Sequence, residues 1–518
     1  MGASSGNSTW DAIVIGSGMG GLSCAAALAR NGHRVLVLEQ FSAVGGQSGM
    51  FRRNGFAWDV GMHYLGGFGE GSSAAELLDW LAEGHIEMAP VGPVYDTLHF
   101  PDGFEIGFSR PEAALKMDLK DKFPAAEAQI DAYFAALHEA AQAMQAVFAL
   151  RALPAPMAAA YGWWKRNQIG KWCGRTTRTV IDEIIDDPKL AAVLSAQWPD
   201  YGAIPCAGSF GIHAMVVSSF FDGAFYPVGG AKVFAQRLVP VIERAGGQVM
   251  ANTAAAALLV ENGETRGVLT TVGAEYRAQS VVSDIGARET VGKLLPLELR
   301  ESDWVREILS LHPNLCHFSL YVGFEGDIHA AGATAANHWL YATWDTDAGI
   351  WEDPVHQSTP PAVFVSFPSL KDPGHRPGER NQHTGQIIAF TTWNAVSKWA
   401  EQAPGERGAE YAAFKAKVEN SLLKTFAARF PALAPLIIFH ELATPLATAG
   451  ITGHGQGGFY GLETTPRRIL SHALGAKTPL PGLYLAGQDV ATPGIMGALY
   501  GGLLAAAAID PHVLRQLS

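Results

Sequence analysis

The segment Asp11 to Glu39, DAIVIGSGMGGLSCAAALARNGHRVLVLE, constrains the fold more than any other part of this chain. Ala12 to Ile15 has strand character, Gly16, Gly18 and Gly21 set out G-x-G-x-x-G, an Ala-rich helical stretch follows, and Val35 to Leu38 is a second apolar strand closed by Glu39. Gly16 permits the tight turn out of the strand, Gly18 lets backbone N–H groups approach a pyrophosphate at the helix N-terminus, and Gly21 lets the helix pack closely on the sheet. Strand, glycines, helix, strand and acid in register within about 30 residues predict a dinucleotide-binding βαβ unit. Glu39 can accept hydrogen bonds from a ribose, and its charge disfavours a 2′-phosphate.

A chain of 518 residues is too long for one simple core, so two closely connected domains are expected. Hydrophobic residues make up 48% and charged residues 17%, which leaves two readings open, a large core or an interior enlarged by a lipophilic site or membrane contact. Lys plus Arg number 37 against 49 Asp plus Glu, with no dense basic run, which excludes nucleic acid as the expected partner. Cys24, Cys173, Cys206 and Cys316 are scattered without a C-x-x-C pair, so neither a disulfide framework nor a metal site is indicated and a reducing compartment fits. The first ten residues, MGASSGNSTW, lack a basic region and an apolar region and read as a flexible leader. Ala140 to Trp164 is weakly charged but is interrupted by Arg151, Pro154 and Pro156, which argues against a membrane-spanning helix. The expected location is cytoplasmic, with peripheral membrane contact left open.

Along the chain, Gly45-Gly46 opens a glycine-dense run to Gly67 just where the chain would pass the cofactor again. A helix is predicted over 74–81, strands over 94–100 and 104–108, and mainly helical sequence from about 125 to 221. Pro227 to Gly286 then reads helix, strand, strand, hairpin, strand, a return to the cofactor domain. Strands at 317–324, 362–367 and 386–393 and a helix near 411–430 form a second visit to the other domain, before a closing strand, a glycine-rich turn bearing Gly487 and Asp489, and a small-residue helix.

With these glycines, Glu39, and LYLAGQDVATPGIMGALYGG in order, the chain resembles, from end to end, the FAD-dependent phytoene desaturase and amine oxidase superfamily. WDVGMHYLGG (58–67), YPVGGAKVFAQ (226–236), VSFPSLKDP (365–373) and FYGLE (459–463) resemble most the branch of the retinol saturases, or all-trans-retinol 13,14-reductases, and the carotenoid isomerases. The resemblance implies an α/β fold: a Rossmann-like FAD-binding domain of the glutathione reductase/amine oxidase type, over 10–93, 225–290 and 470–518, and an inserted α+β substrate domain over 94–224 and 291–469. It implies that FAD is held by Gly16, Gly18, Gly20 and Gly21 at the pyrophosphate, Glu39 and the adjoining Gln40 at the adenosine ribose, and Gly45, Gly46 and Ser48 at a second phosphate approach. Gly487 and Asp489 would meet the ribityl or pyrophosphate portion, and Gly494, Ile495 and Met496 the isoalloxazine, with the positive N-terminus of the last helix toward the ring edge that gains charge on reduction. Where the family places a β-branched residue behind the adenine, this chain offers Ala254 to Ala257.

No Ser-His-Asp set, HExxH or P-loop lysine is present, so the flavin carries the chemistry and the protein supplies position and one proton. His63 and Tyr460 are the candidate catalytic acids; the alternatives are a histidine bonded to backbone and an aromatic packed under a loop. Asp59 reads as a turn or supporting residue, and His454, in a Gly-rich stretch, as exposed. Phe148 to Trp172 joins apolar residues to Trp163, Trp164, Lys165, Arg166, Lys171 and Trp172, a composition that suits a membrane interface, a cavity wall or a packed helix.

The expected activity is that of an FAD-dependent oxidoreductase on C=C or CH–CH bonds of a long hydrophobic polyene, retinoid or isoprenoid, by saturation, desaturation or isomerisation. A flavin amine oxidase is the alternative enzyme, and a non-catalytic lipid or prenyl escort, like the Rab GDP-dissociation inhibitors, the alternative of another class. Only one G-x-G-x-x-G follows an apolar strand and opens a helix; the match at Gly453, Gly455 and Gly458 does not, so no nicotinamide domain is visible and the external electron donor or acceptor is unassigned.

Overall fold

The computed structural model describes residues 10–153 and 155–517; the leader at residues 1–9 and Pro154 lie outside them, while Trp10 opens the first strand. From the amino end the chain forms β1 (Trp10–Ile15), α1 (Met19–Arg30), β2 (Val35–Leu38), the hairpin β3 (Met50–Arg53) and β4 (Phe56–Asp59), β5 (Val94–His99) and β6 (Glu105–Ser109). Helices α2 (Glu127–Ala152), α3 (Ala155–Trp172), α4 (Phe210–Ser219) and α5 (Lys232–Arg244) precede β7 (Gln248–Met250), β8 (Ala255–Glu261), β9 (Glu264–Thr270) and β10 (Glu275–Ser283). Then come β11 (Cys316–Glu325), β12 (Asn337–Tyr341), β13 (Ala362–Ser366), β14 (Gln382–Thr391), α6 (Gly408–Arg429), β15 (Ile437–Ala443), β16 (Leu483–Leu485) and α7 (Gly494–Ile509).

The first sheet has the order β7-β2-β1-β10-β9-β8, with β16 also on β10. Its centre is parallel: Ala12 to Ile15 pair with Val35 to Leu38 on one side and with Ser280 to Ser283 on the other. These strands are continuous apolar runs because both faces of a parallel sheet are covered by helices. Helices α1 and α7 meet through small residues; a side chain at Gly502 would strike Ser23 and the Gly20 carbonyl, so glycine is what allows the approach. The carboxyl ends of β1, β10 and β16 come out side by side at Gly16, Asp284 and Gly487. Open α/β sheets place their ligands at this edge.

The second sheet runs β15-β11-β14-β13-β12-β5-β6, parallel only between β12 and β5. Strand alternation divides its faces. Phe318, Leu320, Val322 and Phe324 of β11, with Ile387 and Ala389 of β14, pack against Phe414, Val418, Leu422 and Phe426 of α6, spaced four residues apart on one helix stripe. The residues between them, among them His317 and Tyr321 of β11 and Gln386 and Ile388 of β14, face a cavity. All four cysteines are free, and among the described residues there is no cluster able to hold a metal ion. No helix of the described residues is long and apolar enough to cross a membrane.

Candidate active site and cofactor cradle

A cavity of about 460 Å³ joins the carboxyl edge of the first sheet to the inner face of the second. Its cradle end is built from the first glycine loop. Gly16, at φ +97°, turns the chain out of β1, and Gly18 caps α1, whose first N–H groups have no acceptor within the helix. Gly45 and Gly46 both take positive φ, and a Cβ on Gly46 would lie 3.1 Å from the Cα of Gly18, so the second glycine loop closes on the first. Gly16, Gly18, Gly20, Gly46 and the buried Ser48 line the cavity; Gly21, Gly45 and Gly487 stand behind its wall.

Glu39 is buried at this end. Its Oε2 accepts from the Ser17 N–H (3.1 Å) and Oγ (2.5 Å), and its Oε1 from the Phe41 N–H (2.8 Å), which fixes the carboxylate at the end of β2. Gln40, Ala255 and Ala256 lie on the same wall. Asp489 is held between the Ala287 N–H (2.8 Å) and the Leu462 N–H (3.0 Å) and faces the cavity with its carboxylate already doubly bonded. Gly494, at φ +82°, Ile495 and Met496 open α7 against the cavity.

Two acids that sequence reasoning missed complete the cradle. Asp284, at the end of β10, accepts from the Gly21 N–H (2.6 Å), so a carboxyl holds part of the α1 N-terminus. A side chain on Gly18 would meet it at 2.7 Å. Burial pushes Asp284 up to about 7, with Glu39 and Asp489 adding to the rise. Glu289 pairs with His454 at 3.9 Å and accepts from the Gly455 N–H (2.7 Å). His454 is therefore not exposed, as its Gly-rich surroundings suggested, but a half-buried cavity residue. Burial works against its charge, yet Glu289, then Asp489 and Asp284, raise its pKa. A glycine-rich neighbourhood folds inward here because it approaches backbone at Gly286.

At the other end His63 lines the cavity with its ring edge toward Phe364, 4.9 Å between centroids, and its Nδ1 is buried with no hydrogen-bond partner among the described residues. Burial, then Lys371 and His317, hold its pKa well below the usual imidazole range, so it is neutral. Tyr460 lies on the same cavity, and burial keeps its phenol protonated. Trp339, Phe364, Ile388 and Phe390 form the apolar wall. Beside it is a polar cluster that sequence reasoning also missed, with Tyr64 and Asp200 on the cavity and Asp96, Asn337 and Lys371 behind them. Tyr64 bridges Asp96 and Asp200, Asp96 accepts from Gln197 and Asn337, and buried Lys371 donates to Asn337, Ser366 and the His63 carbonyl. One signal was available: Asp96 is a lone acid inside the apolar run VYDTLHF.

Asp59 accepts from Tyr226 and from the Ala231 N–H (3.1 Å), a support for the turn into α5. Among the described residues, none of the 148–172 segment lines the cavity; α2 and α3 pack together, Trp172 is buried, and Trp163 and Trp164 are exposed.

The donors present fit a dinucleotide: glycine loops that a Cβ would close, a helix N-terminus only partly held by Asp284, and a buried acid placed for a ribose. The NAD(P)-binding Rossmann-like domain family matches residues 14–81. All-trans-retinol 13,14-reductase of Rattus norvegicus is 32% identical over 96% of this chain and 85% of that protein, and the Homo sapiens protein of the same name is 32% identical over 96% and 85%. Prolycopene isomerase 1 of an Oncidium hybrid is 26% identical over 96% of this chain and 83% of its own. Among solved structures, cyclohexylamine oxidase from Brevibacterium oxydans has a TM-score of 0.62 at 18% identity, covering 98% of this chain and 100% of that one, and an oxidoreductase from Methanosarcina mazei has 0.61 at 16%, covering 95% and 98%. These two likenesses concern the fold.

Proposed function

This chain belongs to the all-trans-retinol 13,14-reductase family and is an FAD-dependent oxidoreductase, and from that premise we propose that its cavity takes a retinoid-like or isoprenoid polyene and that the enzyme saturates one C=C bond. The observation that carries the reading is the continuity of one cavity from the glycine cradle to the aromatic wall of the second sheet. Bound FAD supplies two-electron chemistry, which a C=C bond can accept or a CH–CH bond can provide.

The chain's own residues bind, orient and exclude water. Glu39 receives the ribose, the loops at Gly16 to Gly20 and Gly45-Gly46 receive phosphates, and the turn from Pro493 to Met496 faces the flavin ring, with the α7 N-terminus favouring negative charge there. Trp339, Phe364, Ile388 and Phe390 take the polyene and keep the site dry. His63 and Tyr460 touch the substrate as a neutral imidazole and a neutral phenol, and orient it by hydrogen bonds. The proposed division is a cofactor domain over 10–93, 225–290 and 470–518 and a substrate domain over 94–224 and 291–469. Hydrophobic clusters built mostly from these segments support it, while Val291, Leu294, Val305, Ile308 and Leu462 of the second substrate segment pack into the cofactor-domain core. Contact of α3 with a membrane surface through Trp163 and Trp164 is proposed on their exposure, 70% and 66%, beside Lys165 and Arg166.

The purified protein should be yellow. Anaerobic dithionite-reduced enzyme, mixed with retinol, carotenoid, unsaturated fatty acid and amine panels, should be reoxidised by a polyene that gains two hydrogens. A colourless protein that cannot be loaded with FAD would sink the enzyme reading. Reoxidation by none of the polyenes would sink the substrate reading, and bleaching of the oxidised enzyme by an amine, with its deamination, would replace it with an amine oxidase.

A further inference from the structure

The hydroxyl of Tyr64 lies 2.9 Å from Oδ2 of Asp200 and 3.0 Å from Oδ2 of Asp96. A phenol has one hydrogen, so it donates to one carboxyl only. The other contact is a hydrogen bond only if that carboxyl is protonated and donates to the phenol oxygen. Two carboxyls sharing one partner in a low-dielectric interior do not both ionise.

The remaining partners decide which one keeps the proton. Asp96 also accepts from Gln197 Nε2 (3.1 Å) and Asn337 Nδ2 (3.1 Å), and Asn337 Oδ1 accepts from the ammonium of Lys371. These donors favour a charged Asp96, whose charge in turn supports the ammonium of Lys371 against the burial that pushes it down to about 7. For Asp200, Tyr64 is the hydrogen-bonding side chain among the described residues, and burial, then the charge of Asp96, push its pKa well above the carboxylate range. The other titratable groups facing it, Tyr95, Tyr201, Tyr341 and Tyr460, are phenols that burial keeps neutral. The hydrogen-bond chain therefore runs from the Asp200 O–H to Tyr64 and from the Tyr64 O–H to the Asp96 carboxylate. Asp200 faces the cavity; Asp96 does not.

We propose that Asp200 is a catalytic acid of this cavity, a protonated carboxyl that delivers its proton to one carbon of the substrate's double bond while Tyr64 and Asp96 hold that proton in place beforehand. The proposal deepens the polyene-reducing reading above and rests on it. The Asp200 O–H bond breaks, and its proton forms a C–H bond with the π electron pair at one carbon. The adjacent carbon takes a hydride equivalent from the two-electron donor, reduced flavin, and Asp200, left as a carboxylate, is reprotonated by water when product leaves. His63 is neutral, and the phenol of Tyr460 is the weaker acid, so among these cavity groups Asp200 gives up a proton most easily.

The test compares wild type, Asp200→Asn and Asp200→Glu as flavin-loaded proteins. Infrared difference spectra in H2O and D2O, taken at about pH 8 where Asp284 is ionised, should show the carbonyl stretch of a protonated buried carboxyl in wild type and Asp200→Glu, and its loss in Asp200→Asn, with flavin content equal in all three. Reoxidation of the reduced protein by retinol should slow by about 100-fold or more in Asp200→Asn and be largely restored in Asp200→Glu. If Asp200→Asn fails to fold, the band and rate of Asp200→Glu decide alone: no shifted carboxyl band, or a rate no faster than an acid-free site, overturns the proposal. Asp200→Asn reoxidising as fast as an active wild type, or keeping the band, overturns it while leaving the function reading intact. A wild type inert toward every polyene overturns both.

Discussion

Asp284 occupies the one position in the cradle where a phosphate and a carboxyl compete for the same helix terminus. Its pKa, raised first by burial to about 7, makes its contribution to stability pH-dependent. The folded state holds a proton that the unfolded state releases near pH 3.9, so the stabilisation is full below that value and is lost as pH climbs to about 7. A pyrophosphate beside it favours the neutral acid, so FAD affinity should fall above about pH 7, by up to about tenfold per pH unit. Fluorescence titration of FAD from about pH 6 to pH 9 checks this, and Asp284→Asn should flatten the profile; a flat wild-type profile would remove the basis for the competition. The signal for Asp284 was absent from the local sequence, because VVSDIG reads as an ordinary strand end and acquires its role only when β10 lies beside β1. The same holds for His454, whose Gly-rich neighbourhood reads as surface until Glu289 is placed against it.

The α1 and α7 helices approach through glycine and serine rather than through large apolar side chains, so the contact has no slack to absorb added volume. Gly502→Leu should destabilise by about 1–3 kcal/mol or more, read as a lower denaturant midpoint. Gly170, in α3 with open space around its Cα, is the control: Gly170→Ala should leave stability unchanged or raise it by up to about 1 kcal/mol. Equal behaviour of the two variants would show that the close packing carries no energy. In α3 itself, replacing Trp163 and Trp164 together by Ser should lower partition onto anionic liposomes in a flotation assay; equal partition would dismiss the membrane contact. At this scale the sequence was informative wherever one face of an element is uniform. The helix expected near 411–430 is α6, and the apolar runs at 12–15 and 35–38 marked central strands. It was ambiguous over 148–172, where three readings suited the same tryptophans, because exposure depends on what packs against a helix.

At the scale of the molecule, one cavity penetrates between two sheets whose cores are separate, so the dinucleotide sits where both lean on it. Removing FAD should therefore loosen the whole protein. Free FAD at about 100 times its dissociation constant contributes about 2.7 kcal/mol, and thermal unfolding with and without it should show a higher midpoint for the loaded form. An unchanged midpoint would place the cofactor outside the load shared by the two sheets.

The fold class and the turn at Gly494 to Met496 came through resemblance to a family; by itself, the sequence determined the dinucleotide unit and the glycine loops at Gly16 to Gly21 and Gly45-Gly46. Those depend on local periodicity and on backbone conformations that particular residue types permit, and both are written in contiguous stretches. Tertiary structure alone decided that Tyr64 and Asp200, on the cavity, meet Asp96, Asn337 and Lys371 behind it, and which acid keeps its proton. Protonation follows from desolvation and from the charges within a few ångströms, and neither exists until strands and loops more than a hundred residues apart are packed together.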